Sequence, residues 1–192
     1  PVATNVTLRL FTKGNEGELI SEVPMTYKEK GVWETVVDGD QNGIYYTYSV
    51  ENKGETKEAV DPYARAVGVN GLRAMVVDLE KTNPEGFDSE EKPEVISTNE
   101  AIIYELHVRD VSISEDSGIT NKGKFLGLTE EGTNGPGGVS TGLDHIKELG
   151  ITHLHLLPSF DFRSIDETTL DENIYNWGYD PQHFNVPEGS YS

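Results

Sequence analysis

Cysteine is absent from the 192 residues, so disulfide scaffolds, thiolate zinc sites and thiol nucleophiles are excluded together. Without thiols, composition leaves the redox compartment open. Positive charge is the next scarcity: 15 Lys and Arg stand against 34 Asp and Glu, a formal net charge of −19. Such a field repels a phosphate backbone, which makes nucleic acid and anionic membrane surfaces poor partners. Long apolar runs are also missing. None approaches the roughly 20 residues of a membrane-spanning helix, so no membrane insertion is expected. Pro1 to Asn5 are not a signal peptide, and the chain is either cytoplasmic or separated from its targeting segment. What is present suffices for an ordered core, with 35% hydrophobic and 9% aromatic residues against 26% charged. The length fits one ordinary domain or two small ones, short of the about 250 residues of a complete α/β barrel.

Along the chain the pattern changes once. From Asn5 to Leu79 it reads as strands separated by turns: Val6, Leu8 and Leu10 alternate against Thr7 and Arg9, and further runs cover Glu22 to Tyr27, Val32 to Val37, Ile44 to Val50 and Ala74 to Leu79. Turn signals at Lys13-Gly14-Asn15, Lys30-Gly31, Gly39 to Gly43 and Asn52-Lys53-Gly54 have the spacing of an all-β sandwich, expected over residues 1–80. A polar linker is expected over 81–99, with Asn83-Pro84, Gly86, the acidic run Asp88 to Glu91 and Pro93. In residues 100–192, Ala101 to Val108 reads as a strand, Ser140 to Leu149 as a helix and Ile151 to Leu157 as a second strand. Ser140 is placed to cap that helix and Gly150 to end it. This βαβ unit implies a right-handed crossover inside a larger parallel sheet, which two strands do not complete. The chain therefore reads as an internal piece of something longer, with the sandwich incomplete at its start and the second module truncated.

Several motifs have both a chemical and a plain reading. Gly138-Val139-Ser140-Thr141-Gly142 matches a nucleophile elbow, but a glycine-rich loop precedes it and a helix-cap serine is the expectation. Asp38 to Gly43 copies half a calcium loop, yet its twelfth position is Ser49, so a hairpin turn is expected. His153 and His155 share a strand face without a third ligand and read as packed, hydrogen-bonded histidines. Glu105, His107 and Arg109 alternate with Tyr104, Leu106 and Val108, which suggests either an internal ion-pair network or a polar barrel interior feeding an active site. Tyr175-Asn176-Trp177-Gly178-Tyr179-Asp180-Pro181 gathers three aromatics, an amide and a carboxylate beyond the second strand, where ligand sites of parallel sheets lie. Aromatic faces stack on sugars while Asn and Asp reach hydroxyls, so a carbohydrate cleft stands beside a packed structural loop as its reading.

That seven-residue run, followed by Pro187-Glu188-Gly189-Ser190-Tyr191-Ser192, resembles the signature of type I pullulanases, starch-debranching members of the alpha-amylase family (glycoside hydrolase family 13). Ile103 to Asp110 resembles their first barrel strand, and Gly142 to Leu154 with Leu156-Leu157-Pro158 their first helix and second strand. Val60-Asp61-Pro62-Tyr63-Ala64 resembles the end of the family 48 carbohydrate-binding module.

The resemblance implies an immunoglobulin-like sandwich followed by the first βαβ portion of a (β/α)8 barrel, in an enzyme that cleaves α-1,6-glucosidic links with retention of configuration. Its aspartate nucleophile, glutamate acid/base and second aspartate are carried on the fourth, fifth and seventh barrel strands, and no acidic residue here corresponds to them. The piece alone is expected to be inactive and to supply one wall of the cleft. Tyr179 is expected to stack on the sugar at the cleavage position with Asp180 beside it, while Asn176 and Trp177 build the loop and Arg109 faces the barrel interior. The implied partners are α-glucans (pullulan, amylopectin, glycogen, limit dextrins) and the remainder of the same enzyme. No cofactor is expected. Calcium stays open for the complete enzyme, with no convincing site in these residues. A polymeric substrate favours a secreted or bacterial cell-surface location over the cytoplasm. The alternatives are a noncatalytic α-glucan-binding module and another debranching or branching enzyme of the alpha-amylase family.

Overall fold

The computed structural model describes residues 3–94, 97–172 and 174–192. Its first strands are β1 (Ala3–Phe11) and β2 (Leu19–Pro24), joined antiparallel, and the short pair β3 (Thr26–Tyr27) and β4 (Trp33–Glu34) forms a hairpin of its own. Lys30 and Gly31, both at positive φ, are the central pair of the turn that the Val32 amide closes on the Glu29 carbonyl. Then follow β5 (Tyr45–Asn52), β6 (Glu55–Ala59) and β7 (Ala74–Met75). The main sheet runs β2-β1-β5-β6 with β7 on β5, all antiparallel, so β1 is hydrogen-bonded on both sides. Alternation buries Val6 and Leu10, and a register shift after Leu10 turns Phe11 inward as well.

The runs read at Val32 to Val37 and Ala74 to Leu79 shrink to two paired residues each, and Glu22 to Tyr27 divides between β2 and β3. Strand β6 was missed because Glu-Thr-Lys-Glu-Ala has no apolar alternation. It is an exposed edge strand, where charge guards against further pairing. Asp61, in the turn beyond β6, accepts bonds from the hydroxyls of Tyr46 at 2.8 Å and Tyr48 at 3.5 Å and from the Tyr63 amide. Burial, then the adjacent carboxylate, pushes the Tyr48 hydroxyl up to about 12.

The described residues of 79–100 hold three short 3-10 turns with no buried residue among them. Beyond them β8 (Ile103–Leu106) pairs in parallel with β9 (His153–Leu156) across α1 (Gly142–Glu148), a βαβ connection. A hairpin of β10 (Phe160–Phe162) and β11 (Pro181–Pro187) follows. The two parallel strands and one helix are all that the described residues hold of a parallel sheet.

Strand β8 is shorter than Ala101 to Val108 because the chain bends at once into turns: the His107 carbonyl accepts from Val111, and that of Arg109 from Ser112 and Ile113. Glu105, His107 and Arg109 therefore do not share one strand face. Ser140 does not cap α1. Thr141 holds that position, its hydroxyl bonding the Ser117 carbonyl, and the Ser140 hydroxyl reaches Glu148 at 2.7 Å. Gly150, at φ 66°, ends the helix as expected, its amide bonding the Lys147 carbonyl.

The sheet and the later hairpin touch directly. Val186 of β11 packs with Ala64 and Ala74, while Phe162, Val108 and Tyr191 form a second core. Between these cores, Asn70, itself at φ 57°, bonds the 166–167 loop three times. Its amide reaches Glu167 at 2.9 Å, its side-chain nitrogen Asp166 at 2.9 Å, and its oxygen accepts from the Glu167 amide at 2.8 Å. The neighbouring Gly71 carbonyl accepts from His183 at 3.0 Å. A side chain at Gly71 would meet Asp161 and His183 at 2.9 Å, so only glycine permits this approach.

Candidate functional site

The aromatic loop lies against the carboxyl ends of both parallel strands. Just beyond β9, Pro158 meets Gly178 so closely that a Cβ there would collide with the Pro158 carbonyl oxygen, and Gly178 holds φ 85°. From β8, His107 reaches the Asn176 carbonyl through Nε2 at 2.8 Å. Within the loop, Asn176 is the bracket: its side-chain oxygen accepts from Gly178 at 2.7 Å and its nitrogen donates to Asp180 at 2.9 Å. The Asp180 carboxylate also accepts from the Ser164 hydroxyl. Burial pulls the Asp180 carboxyl upward, but the bonds from Ser164 and Asn176 outweigh it and hold it below the usual range.

With its polar groups bonded inward, the loop turns two rings outward, Tyr179 at 68% and Trp177 at 60% exposure. Trp177 meets Tyr175 edge-on at 5.3 Å, and Tyr175 stacks on His107 at 5.1 Å. Arg109, expected in a barrel interior, sits in the turn after β8, its guanidinium 5.8 Å from the Tyr175 ring and 3.1 Å from Asp110. Of the four site residues read from sequence, Tyr179 and Trp177 are thus presented to solvent, and Asn176 and Asp180 support them. The surface can stack an apolar face such as a sugar ring.

The other motifs take their plain readings in part. In the Asp38 to Gly43 turn, Asp40 accepts from the Asn42 amide and Asn42 from the Asp78 amide, so these oxygens serve the backbone. Ser140 lies in a loop bridged to Asn134. His153 and His155 are exposed rather than packed, bonded to Thr152 at 2.8 Å and facing Glu105 at 3.4 Å.

One cluster escaped the sequence reading. Asp161, Glu167 and Glu188 bring carboxylate oxygens within 4.8 Å of one another beneath Gly71. Glu188, fully buried, accepts from the amides of Phe162 and Ser190. Asp161, 2% exposed, lies 3.9 Å from the His183 imidazole nitrogen. Burial first, and then Glu188 and Glu167, push its carboxyl up to about 7. Three converging carboxylates in a partly dry site suit a hard, oxygen-seeking cation such as calcium. No spacing rule unites positions 161, 167 and 188; only the β10–β11 hairpin brings them together.

Against known proteins, residues 1–64 match the family model of carbohydrate-binding module 48 (isoamylase N-terminal domain). The chain is 44% identical to the pullulanase of Bacillus subtilis (strain 168), the match covering 100% of this chain and 26% of that protein. With pullulanase 1, chloroplastic, of Arabidopsis thaliana it shares 34% identity over 100% of this chain and 23% of that one. The crystal structure of the pullulanase from Paenibacillus barengoltzii in complex with maltohexaose and alpha-cyclodextrin superposes with a TM-score of 0.96 at 54% identity, over 99% of this chain and 30% of that one. The chain thus spans about a quarter of the length of the curated relatives it matches. Throughout that span it is similar to pullulanases, and the carbohydrate-binding module 48 match takes up its first third.

Proposed function

We propose that this chain belongs to a debranching glycosidase of pullulanase type that hydrolyses α-1,6-glucosidic links in pullulan and branched α-glucans with retention of configuration, and that it supplies one wall of the substrate cleft. The observation that carries the reading is the loop of residues 175–180, braced on the ends of two parallel strands and presenting Tyr179 outward. On this reading β8, α1 and β9 open a (β/α)8 barrel in residues 100–192, behind a sandwich of residues 1–80 and a linker of 81–99. Site loops at the carboxyl ends of the strands are the rule for such barrels.

Catalysis would require two carboxylates about 5 Å apart flanking the glycosidic bond, one as nucleophile and one as acid/base. Those roles belong to residues of the barrel that these 192 do not include, and what this stretch does is hold the sugar. Tyr179 stacks on the ring at the cleavage position while Asp180 fixes the loop's far side. Support for an α-glucan partner comes from the maltohexaose and alpha-cyclodextrin complex of the Paenibacillus barengoltzii relative. The test is an assay of the protein on pullulan. Release of maltotriose is expected, and release of reducing ends without maltotriose would move the activity elsewhere in the alpha-amylase family.

The match of residues 1–64 favours a second, noncatalytic role in holding α-glucan. Retardation of residues 1–80 on a branched α-glucan column, against a control protein, decides it.

A further inference from the structure

We propose that His107 is a positioning residue for this site, fixing the 175–180 loop, and through it the Tyr179 ring, by donating a hydrogen bond from Nε2 to the Asn176 carbonyl. The inference rests on the reading of that loop as the sugar-stacking wall.

The ring lies just beyond the end of β8 and is 5% exposed. Its Nδ1 accepts the Arg109 amide proton at 3.2 Å, so the ring's own proton sits on Nε2. Nε2 faces the Asn176 carbonyl at 2.8 Å, an oxygen that can only accept, with the Tyr191 hydroxyl at 3.1 Å beside it. The other tautomer would set Nδ1–H against the Arg109 N–H and a nitrogen lone pair against a carbonyl lone pair. One tautomer therefore satisfies both ends.

The ring itself is clamped. Tyr175 stacks on it at 26° between planes, and Tyr191 closes it edge-on at 5.8 Å. His107 thus holds two consecutive loop residues, Tyr175 by its face and Asn176 by its edge. From Asn176 the connection continues to Gly178 and Asp180, the two neighbours of Tyr179. Among the described residues Tyr179 has no such bond of its own, and at 68% exposure it points into solvent, so its direction is set by these flanking residues. A stacking ring accelerates a reaction only if it is already aligned with the distorted sugar of the transition state, and His107 is the fixed point of that alignment.

Two variants separate the hydrogen bond from the packing. His107→Phe keeps an aromatic ring against Tyr175 and removes the donor, while His107→Gln supplies an amide N–H of similar reach. In the protein carrying this chain, amide exchange over residues 174–180 and kcat and KM on pullulan are measured for both. In His107→Phe, exchange over that segment should quicken about tenfold and kcat fall by about five- to tenfold, roughly what one net hydrogen bond controls, with KM changing less. His107→Gln should recover both to within about threefold. Equal loss in the two variants, or exchange over 174–180 unchanged in both, would overturn the proposal. If the wild type leaves pullulan uncleaved, the glucan reading fails, and the exchange comparison alone decides whether His107 sets the loop.

Discussion

The antiparallel sheet within residues 3–75 and the loop-rich structure of residues 103–191 reach order by different means. In the first, β1 is paired on both flanks and its amides are satisfied by neighbouring backbone. Its one buried polar side chain is Thr47. In the second, strands are short and side chains do what a ladder does elsewhere. Ser112 accepts from the Gly123 amide, Ser117 bonds the Ser112 carbonyl and the Ile119 amide, and Glu130 takes the amides of Thr120 and Asn121. Apart from Thr47, every buried polar side chain among the described residues lies in this second region. A ladder depends on backbone and tolerates side-chain change. A loop network held by side chains fails wherever one of them is cut, because each buried polar group must keep its partner.

The sharpest test of that contrast is Glu188→Ala. The fully buried carboxylate takes the Phe162 and Ser190 amides, and its loss leaves two N–H groups without acceptors. The expected destabilisation is roughly 2 to 4 kcal/mol, part of the full cost being offset by relief of repulsion from Asp161 and Glu167. Hydrogen exchange should quicken across residues 160–191 while β1 and β5 stay protected. Uniform loss of protection in both regions would show that they unfold as one unit and would break the contrast.

Tyr179→Ala tests the loop network's purpose and not its stability. The exposed ring contributes nothing to the core, so the melting temperature should hold. By analogy with stacking of aromatic side chains on bases, kcat/KM on pullulan should fall about tenfold to hundredfold, and Tyr179→Phe should be mild. Near-normal kcat/KM in a folded Tyr179→Ala protein would remove the stacking role.

Legibility in the sequence followed the same divide. Strand β1 and the helix were readable because apolar period and turn glycines are local signals, as Val6, Leu10 and Gly150 illustrate. The loop of 175–180 was readable as a composition, and its four residues did come together. Their division of labour was not, since whether Asn176 faces sugar or Gly178 depends on contacts from β8 and β9. His107 was read as one of three charges on a strand face because nothing local announces that the strand stops at Leu106. The carboxylates at 161, 167 and 188 lacked any signal, because the β10–β11 hairpin brings them together and no local spacing announces it.

Asn70→Ala tests whether the two regions are coupled. The change removes the bonds to Asp166 and from the Glu167 amide and leaves alanine at φ 57°, a left-handed conformation it disfavours. About 1 to 2 kcal/mol should be lost, with exchange rising at residues 166–168. Asn70→Gly separates the causes, because glycine relieves the backbone strain and still lacks the bonds. If Asn70→Gly is as stable as the parent, strain rather than the inter-region bonds accounts for the effect.

The smallest effect is expected at Arg9→Ala. Arg9 on β1 bridges Glu22 on β2 at 2.9 Å and Glu58 on β6 at 2.6 Å, which looks like a staple across the sheet. Both carboxylates are about half exposed, so water replaces the guanidinium when it goes. Exposed pairs of this kind contribute below about 1 kcal/mol, and 1 M salt should erase most of the difference. Glu58 is not orphaned either, because the Thr47 hydroxyl still donates to it at 2.5 Å. That bond makes Glu58→Ala the instructive partner: it strands the hydroxyl of a side chain only 1% exposed, the one place in the sheet built like the loop region. Thermal melts should therefore rank Glu58→Ala below Arg9→Ala in stability. If the two are equal, or if the difference vanishes in salt, the burial of a polar partner is not what separates the two regions.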